Sequence, residues 1–165
     1  MPTMKHRFIR RLMFLGFQGL RAAVLGLPLP VAQALGRGMG LAAYGLLSTQ
    51  RRLAEEHLRL AWGSDLAPDQ RRRIARRVFV NLGQTAMEWM LLPRFSTEVL
   101  RRLVRNEGVE HLRDALAKGK GVILVTAHFG NWEVIPFYLR SLGFEGSVLA
   151  RRLRYPEYES FLISL

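Results

Sequence analysis

The sequence predicts an α/β protein: N-terminal membrane-associated helices, a helical layer, then the first strands of a mainly parallel sheet. Three observations lead there. Val122, Ile123, Leu124 and Val125 form an unbroken apolar run entered through Gly119-Lys120-Gly121, the pattern of a strand buried on both faces. The run ends at a polar cluster, and residues 133–142 then resume at helical spacing before Gly143 stops them. A further apolar stretch, residues 147–150, reads as the next strand, parallel to the first through a right-handed crossover.

Composition sets the bounds. The chain has 165 residues, 49% of them hydrophobic, enough for one modest core or for a membrane-facing surface. It has no cysteine, which excludes a disulfide framework, a thiolate nucleophile and a cysteine-based zinc site. Lys and Arg number 25 against 13 Asp and Glu, a formal net charge of +12. That excess implies an anionic partner: nucleic acid, lipid headgroups or an acidic protein. No zinc-finger spacing, basic-region heptad pattern or aromatic RNA-binding motif is present, so nucleic acid is not expected.

The elements follow in chain order. Lys5, Arg7, Arg10 and Arg11 open the chain; two apolar stretches, residues 12–29 and 31–47, are separated by Pro28-Leu29-Pro30 and interrupted by Gln18, Arg21, Gln33 and Arg37. Neither is a clean run of the ~20 apolar residues that a spanning helix needs. With Arg21 inside the first stretch and no small-residue cleavage site after it, a signal peptide fits less well than a membrane-surface anchor whose arginines snorkel to phosphates. A pair of buried core helices is the alternative. Residues 51–62 read as a helix, with His57 carrying no assigned chemistry. Pro68 suits the first position of a helix that runs to about Leu92, with Ile74, Val78, Leu82, Thr85 and Trp89 as its inward face. Arg71, Arg72, Arg73, Arg76 and Arg77 cluster in its first half. Ser96 is a good N-cap for a short helix, residues 103–106 suit a short strand, and residues 109–118 a further helix. Tyr155-Pro156 marks a turn, and Tyr158, Phe161, Leu162 and Leu165 repeat at helical spacing.

The chemistry centres on His128 and Glu133. On a continuous helix, residues five apart diverge by about 140°, so the two meet only across a turn. Gly130 and Asn131 are residue types that permit one. Glu133 then falls at a helix start, where the dipole favours a carboxylate. From there it can fix one nitrogen of His128 and leave the other to take a proton from a hydroxyl. A structural His–Glu pair is the plain alternative.

The string His128-Phe129-Gly130-Asn131-Trp132-Glu133 after Gly121-Val122-Ile123-Leu124 resembles the lipid A biosynthesis acyltransferase family, the late lauroyl and myristoyl transferases of Gram-negative bacteria. The likeness is specific in this block and looser elsewhere. It implies an enzyme of glycolipid (lipopolysaccharide) synthesis that moves a fatty acyl chain from acyl-acyl carrier protein to a hydroxyl of a lipid A precursor. His128 and Glu133 are then the catalytic pair. Backbone N–H groups near Gly130 and Asn131, or a nearby arginine, meet the developing oxyanion. Arg151 and Arg152 help hold an acceptor or donor phosphate, with plain rim arginines as the alternative. Glu88 lines the acceptor cleft, with a plain salt bridge as the alternative. No metal or dissociable cofactor is implied. The expected partners are the acyl carrier protein, the lipid acceptor and the cytoplasmic face of the bacterial inner membrane. Residues 1–50 become a hydrophobic basic anchor and residues 51–165 the N-terminal, incomplete part of an acyltransferase domain. The uncovered apolar face at the chain's end supports a piece or natural truncation of a longer enzyme, with little activity alone. Two rival readings stay open. One is a glycerolipid (lysophospholipid) acyltransferase, though that family usually has Asp as its acid and Asn-His where this chain has Ala127-His128. The other is an inactive, truncated membrane-bound remnant.

Overall fold

In the computed structural model, residues 4–149 and Glu159 are described. Among them all regular structure is helical: α1 Met4–Leu25, α2 Leu29–Leu46, α3 Ser48–Trp62, α4 Pro68–Leu91, α5 Thr97–Leu103, α6 Val109–Ala117 and α7 Val134–Ser141. They group into two compact units that divide after Leu92.

The predicted helices that fall among the described residues, and their punctuation, agree with the structure. Pro28 is the N-cap residue of α2 and Pro68 the first residue of α4, positions where proline's missing N–H costs nothing. At the entry to α4 the Gln70 side chain accepts a hydrogen bond from the Ala67 N–H at 2.8 Å. Ser96 caps α5 as expected: its hydroxyl accepts from the Val99 N–H at 3.3 Å. The last turn of α7 closes with Gly143 at φ +86° and the Phe144 N–H on the Leu139 carbonyl, the left-handed exit that glycine enters without a Cβ penalty.

The α/β expectation is overturned. The described residues contain no strand and no sheet. Residues 122–125 lack a ladder partner, and their side chains are not buried on two faces: Ile123 is 92% and Val125 88% exposed. A strand is defined by the backbone groups of a neighbour, and an apolar run without one has nothing to pair with. The short strand expected at 103–106 fails too, because Leu103 is the last residue of α5 and no ladder forms beyond it. Residues 147–149 are likewise unpaired and exposed; Ala150 lies outside the described residues, as do Tyr155, Pro156 and nearly all of the expected helix 157–165. No described helix is long and apolar enough to cross a membrane.

In the first unit α2 and α4 run antiparallel in backbone contact. A Cβ built on Gly36 would lie 2.5 Å from the Gly83 carbonyl oxygen and 2.8 Å from the Gln84 Cα; one on Gly40 would meet Val80 Cα at 2.7 Å; one on Gly83 would meet Gly40 N at 2.9 Å. Only glycine permits that approach. The buried stripe is therefore small on α2 (Ala32, Gly36, Gly40) and runs through Ala75, Met87 and Met90 on α4. This corrects the predicted inward face of α4: Val78 and Leu82 are exposed. Leu35 and Met39 on α2 and Leu82 on α4 are all about half exposed. Small residues line the closest approach of the pair, and Met87, Met90 and Leu91 are buried further along α4.

Tyr44 ties α3 to this pair. Its ring meets Phe79 edge-on at 5.6 Å, its hydroxyl lies 3.4 Å from a Glu55 oxygen, and the Arg51 guanidinium sits 5.4 Å from its ring centroid. Phe17 on α1 packs against Trp89 on α4, with ring centroids 6.4 Å apart.

Candidate active site

The second unit holds the His128 segment on the approach to α7. α5 and α7 pin each other: the Arg101 guanidinium donates to the Ser141 carbonyl at 2.9 Å, and the Asn106 amide donates to the hydroxyl of buried Tyr138. These bonds set the position of α7, and with it the segment leading into its N-terminus. The Val134 N–H bonds the Asn131 carbonyl at 3.3 Å and the Ile135 N–H bonds the Trp132 carbonyl at 3.1 Å. The first helical turn thus begins within the predicted motif. Glu133 is the N-cap residue of α7, with helical φ −66° and ψ −20°.

In the segment between His128 and Glu133, Gly130 adopts φ +58°, a left-handed conformation that glycine enters without a Cβ penalty. Just before it the Phe129 N–H bonds the Ala127 carbonyl at 2.8 Å, a tight reversal. His128 and Phe129 are exposed, whereas Asn131, Trp132 and Glu133 are half-buried. A loop that brings His128 to the protein surface and then fixes the following residues in a helix start can offer its imidazole to an incoming substrate.

Among the described residues no hydrogen bond or ion pair joins His128 to Glu133. The imidazole instead lies against the Trp132 indole, with ring centroids 4.6 Å apart and planes inclined at 51°. Trp132 was not among the candidates from sequence. Its signal there is slight, an aromatic side chain four residues after a histidine, a spacing that brings side chains together when a turn lies between.

The remaining candidates are distributed as follows. Glu88 lies on α4 in the first unit, where its carboxylate accepts a hydrogen bond from the Gln33 side chain of α2 at 2.7 Å. Gly130 and Asn131 form the turn itself. Arg151 and Arg152 lie outside the described residues. No group of three or more His, Asp or Glu side chains suited to a metal ion occurs among the described residues.

Sequence comparison bears on this site directly. The profile of the bacterial lipid A biosynthesis acyltransferases matches residues 3–165. The lipid A biosynthesis lauroyltransferase of Escherichia coli (strain K12) is 29% identical over 111 residues, which cover 67% of this chain and 36% of that protein. The chain therefore spans about a third of the length of the curated relative it matches. No solved structure matches it. With the profile extending over nearly every residue and through the whole His128–Glu133 block, the chain belongs to the bacterial lipid A biosynthesis acyltransferase family.

Proposed function

We propose that the protein takes part in acyl transfer from an acyl-acyl carrier protein thioester to a hydroxyl of a lipid A precursor, with His128 as general base. The observation that carries this reading is the exposed His128 on the turn entering α7, inside the block that the family profile matches. In the proposed step a ring nitrogen of His128 accepts the hydroxyl proton as the oxygen bonds to the thioester carbonyl carbon. The C–S bond then breaks, and the departing thiolate takes the proton from the imidazolium. Glu133, at the start of α7, is assigned the part of orienting and balancing the imidazolium. Backbone N–H groups of the turn around Gly130 and Asn131, or a nearby arginine, are assigned to the oxyanion. Arg151 and Arg152 are assigned to an acceptor or donor phosphate and Glu88 to the acceptor cleft, both on the resemblance alone.

The site is proposed to work at the cytoplasmic surface of the bacterial inner membrane. Support comes from the large apolar side chains left exposed on α2 and α4, Leu35, Met39 and Leu82, which an amphipathic surface helix can dip into a bilayer interface. The net charge of +12 suits an anionic headgroup surface or an acidic carrier.

Mass spectrometry of lipid A from cells with and without the protein tests the reading. One additional acyl chain is expected with the native protein and none with His128→Ala. An unchanged acylation pattern in cells producing the native protein removes the reading.

A further inference from the structure

We propose that Trp132 is a positioning residue for His128: its indole face holds the imidazole and stabilises the imidazolium formed when the base takes up a proton. The inference rests on the proposed role of His128 as the base.

The geometry is specific. The ring centroids lie 4.6 Å apart, inside the roughly 6 Å over which an aromatic face attracts a cation, and indole is the best such face. The two partners differ in how they are held. His128 sits on an exposed turn and makes no hydrogen bond or ion pair among the described residues. Trp132 is half-buried, and its carbonyl accepts the Ile135 N–H in the first turn of α7. The indole is therefore the fixed wall and the imidazole the group it confines. Two effects follow. The wall removes rotamers in which the imidazole turns away from substrate, so less order has to be imposed when substrate arrives. The cation–π attraction acts on the charged imidazole alone. It is absent in the ground state with neutral His128 and present as the proton transfers, so it lowers the barrier without tightening substrate binding.

The test compares Trp132→Phe with Trp132→Leu in the full protein. Both keep an apolar side chain beside α7, but only Phe keeps an aromatic face. Trp132→Leu is expected to lower kcat about two- to fivefold, the range that an exposed cation–π contact supports, with KM unchanged. Trp132→Phe should restore most of the loss. A readout independent of turnover is proton NMR: the indole ring current should displace the imidazole C–H resonances of His128 in the native protein, and Trp132→Leu should abolish the displacement. Equal kcat in the native, Phe and Leu proteins overturns the proposal, as does an equal loss in Phe and Leu or an unchanged His128 resonance in Leu. Full turnover by His128→Ala instead removes the underlying role of His128, and the proposal with it.

Discussion

Replacing Gly36 by Ala probes the contact that organises the first unit. The added Cβ would lie 2.5 Å from the Gly83 carbonyl oxygen, where ordinary contact begins at 3.4 Å. The obstacle is backbone on both sides, so no side chain can swing away. Relief needs the helices to part by about 0.9 Å, and a gap of 0.5–1 Å already forfeits about a quarter to a half of the dispersion energy of a contact. Overpacking of this kind costs about 1–3 kcal/mol. It competes with the roughly 0.8–1 kcal/mol by which Ala is the better helix former. Gly38→Ala separates the two, because it lies in the same helix with nothing within 4 Å of its Cβ. Both substitutions carry the propensity gain and only Gly36→Ala carries the clash. The difference between the variants should therefore be about 1–3 kcal/mol. In a chain of this size that places the melting temperature of Gly36→Ala roughly 2–12 °C below that of Gly38→Ala. Thermal unfolding followed by circular dichroism at the helix band, with both variants in the same buffer and detergent, measures it. Equal melting temperatures would refute the close α2–α4 approach.

Three further outcomes are expected. His128→Ala should remove nearly all acyl transfer, within the roughly 10²–10⁴-fold range of general-base catalysis, and Glu133→Gln should lower it strongly while leaving the helix content intact; retained turnover in Glu133→Gln would deny Glu133 a part in orienting the base. Membrane attachment is best tested by the triple variant Leu35→Gln, Met39→Gln and Leu82→Gln, since deleting residues 1–47 would strip α2 from α4. Its partitioning into anionic vesicles in a flotation assay should fall on the order of 100-fold, from about 1 kcal/mol lost per side chain, and undiminished flotation would argue against these side chains as the lipid contact. Ser96→Ala should cost about 1 kcal/mol through loss of the α5 cap, measured by chemical denaturation; a change below 0.3 kcal/mol would mean that the cap bond to Val99 contributes little.

The sequence alone located nearly every described helix. Pro28, Pro68, Ser96 and Gly143 act on the backbone of their own neighbourhood, so their effect is readable without knowing what packs where. It also carried the family, because the residues from His128 to Glu133 are contiguous. What it could not supply were properties that need a second segment. Residues 122–125 have strand composition, but a strand exists only with a ladder partner, and the described residues offer none. The inward face of α4 was read from its large apolar residues, Val78 and Leu82 among them. The tertiary structure instead buries Ala75, Met87, Met90 and Leu91 and sets Gly83 against Gly36, because where two backbones approach closely only small side chains fit. The partner of His128 likewise could not be read from spacing. Glu133 is the expected one, yet the reversal through Gly130 at φ +58° and the first turn of α7 bring the indole of Trp132 to the imidazole. Local chemistry is written in the order of residues, whereas the surface a residue meets depends on where the rest of the chain has gone.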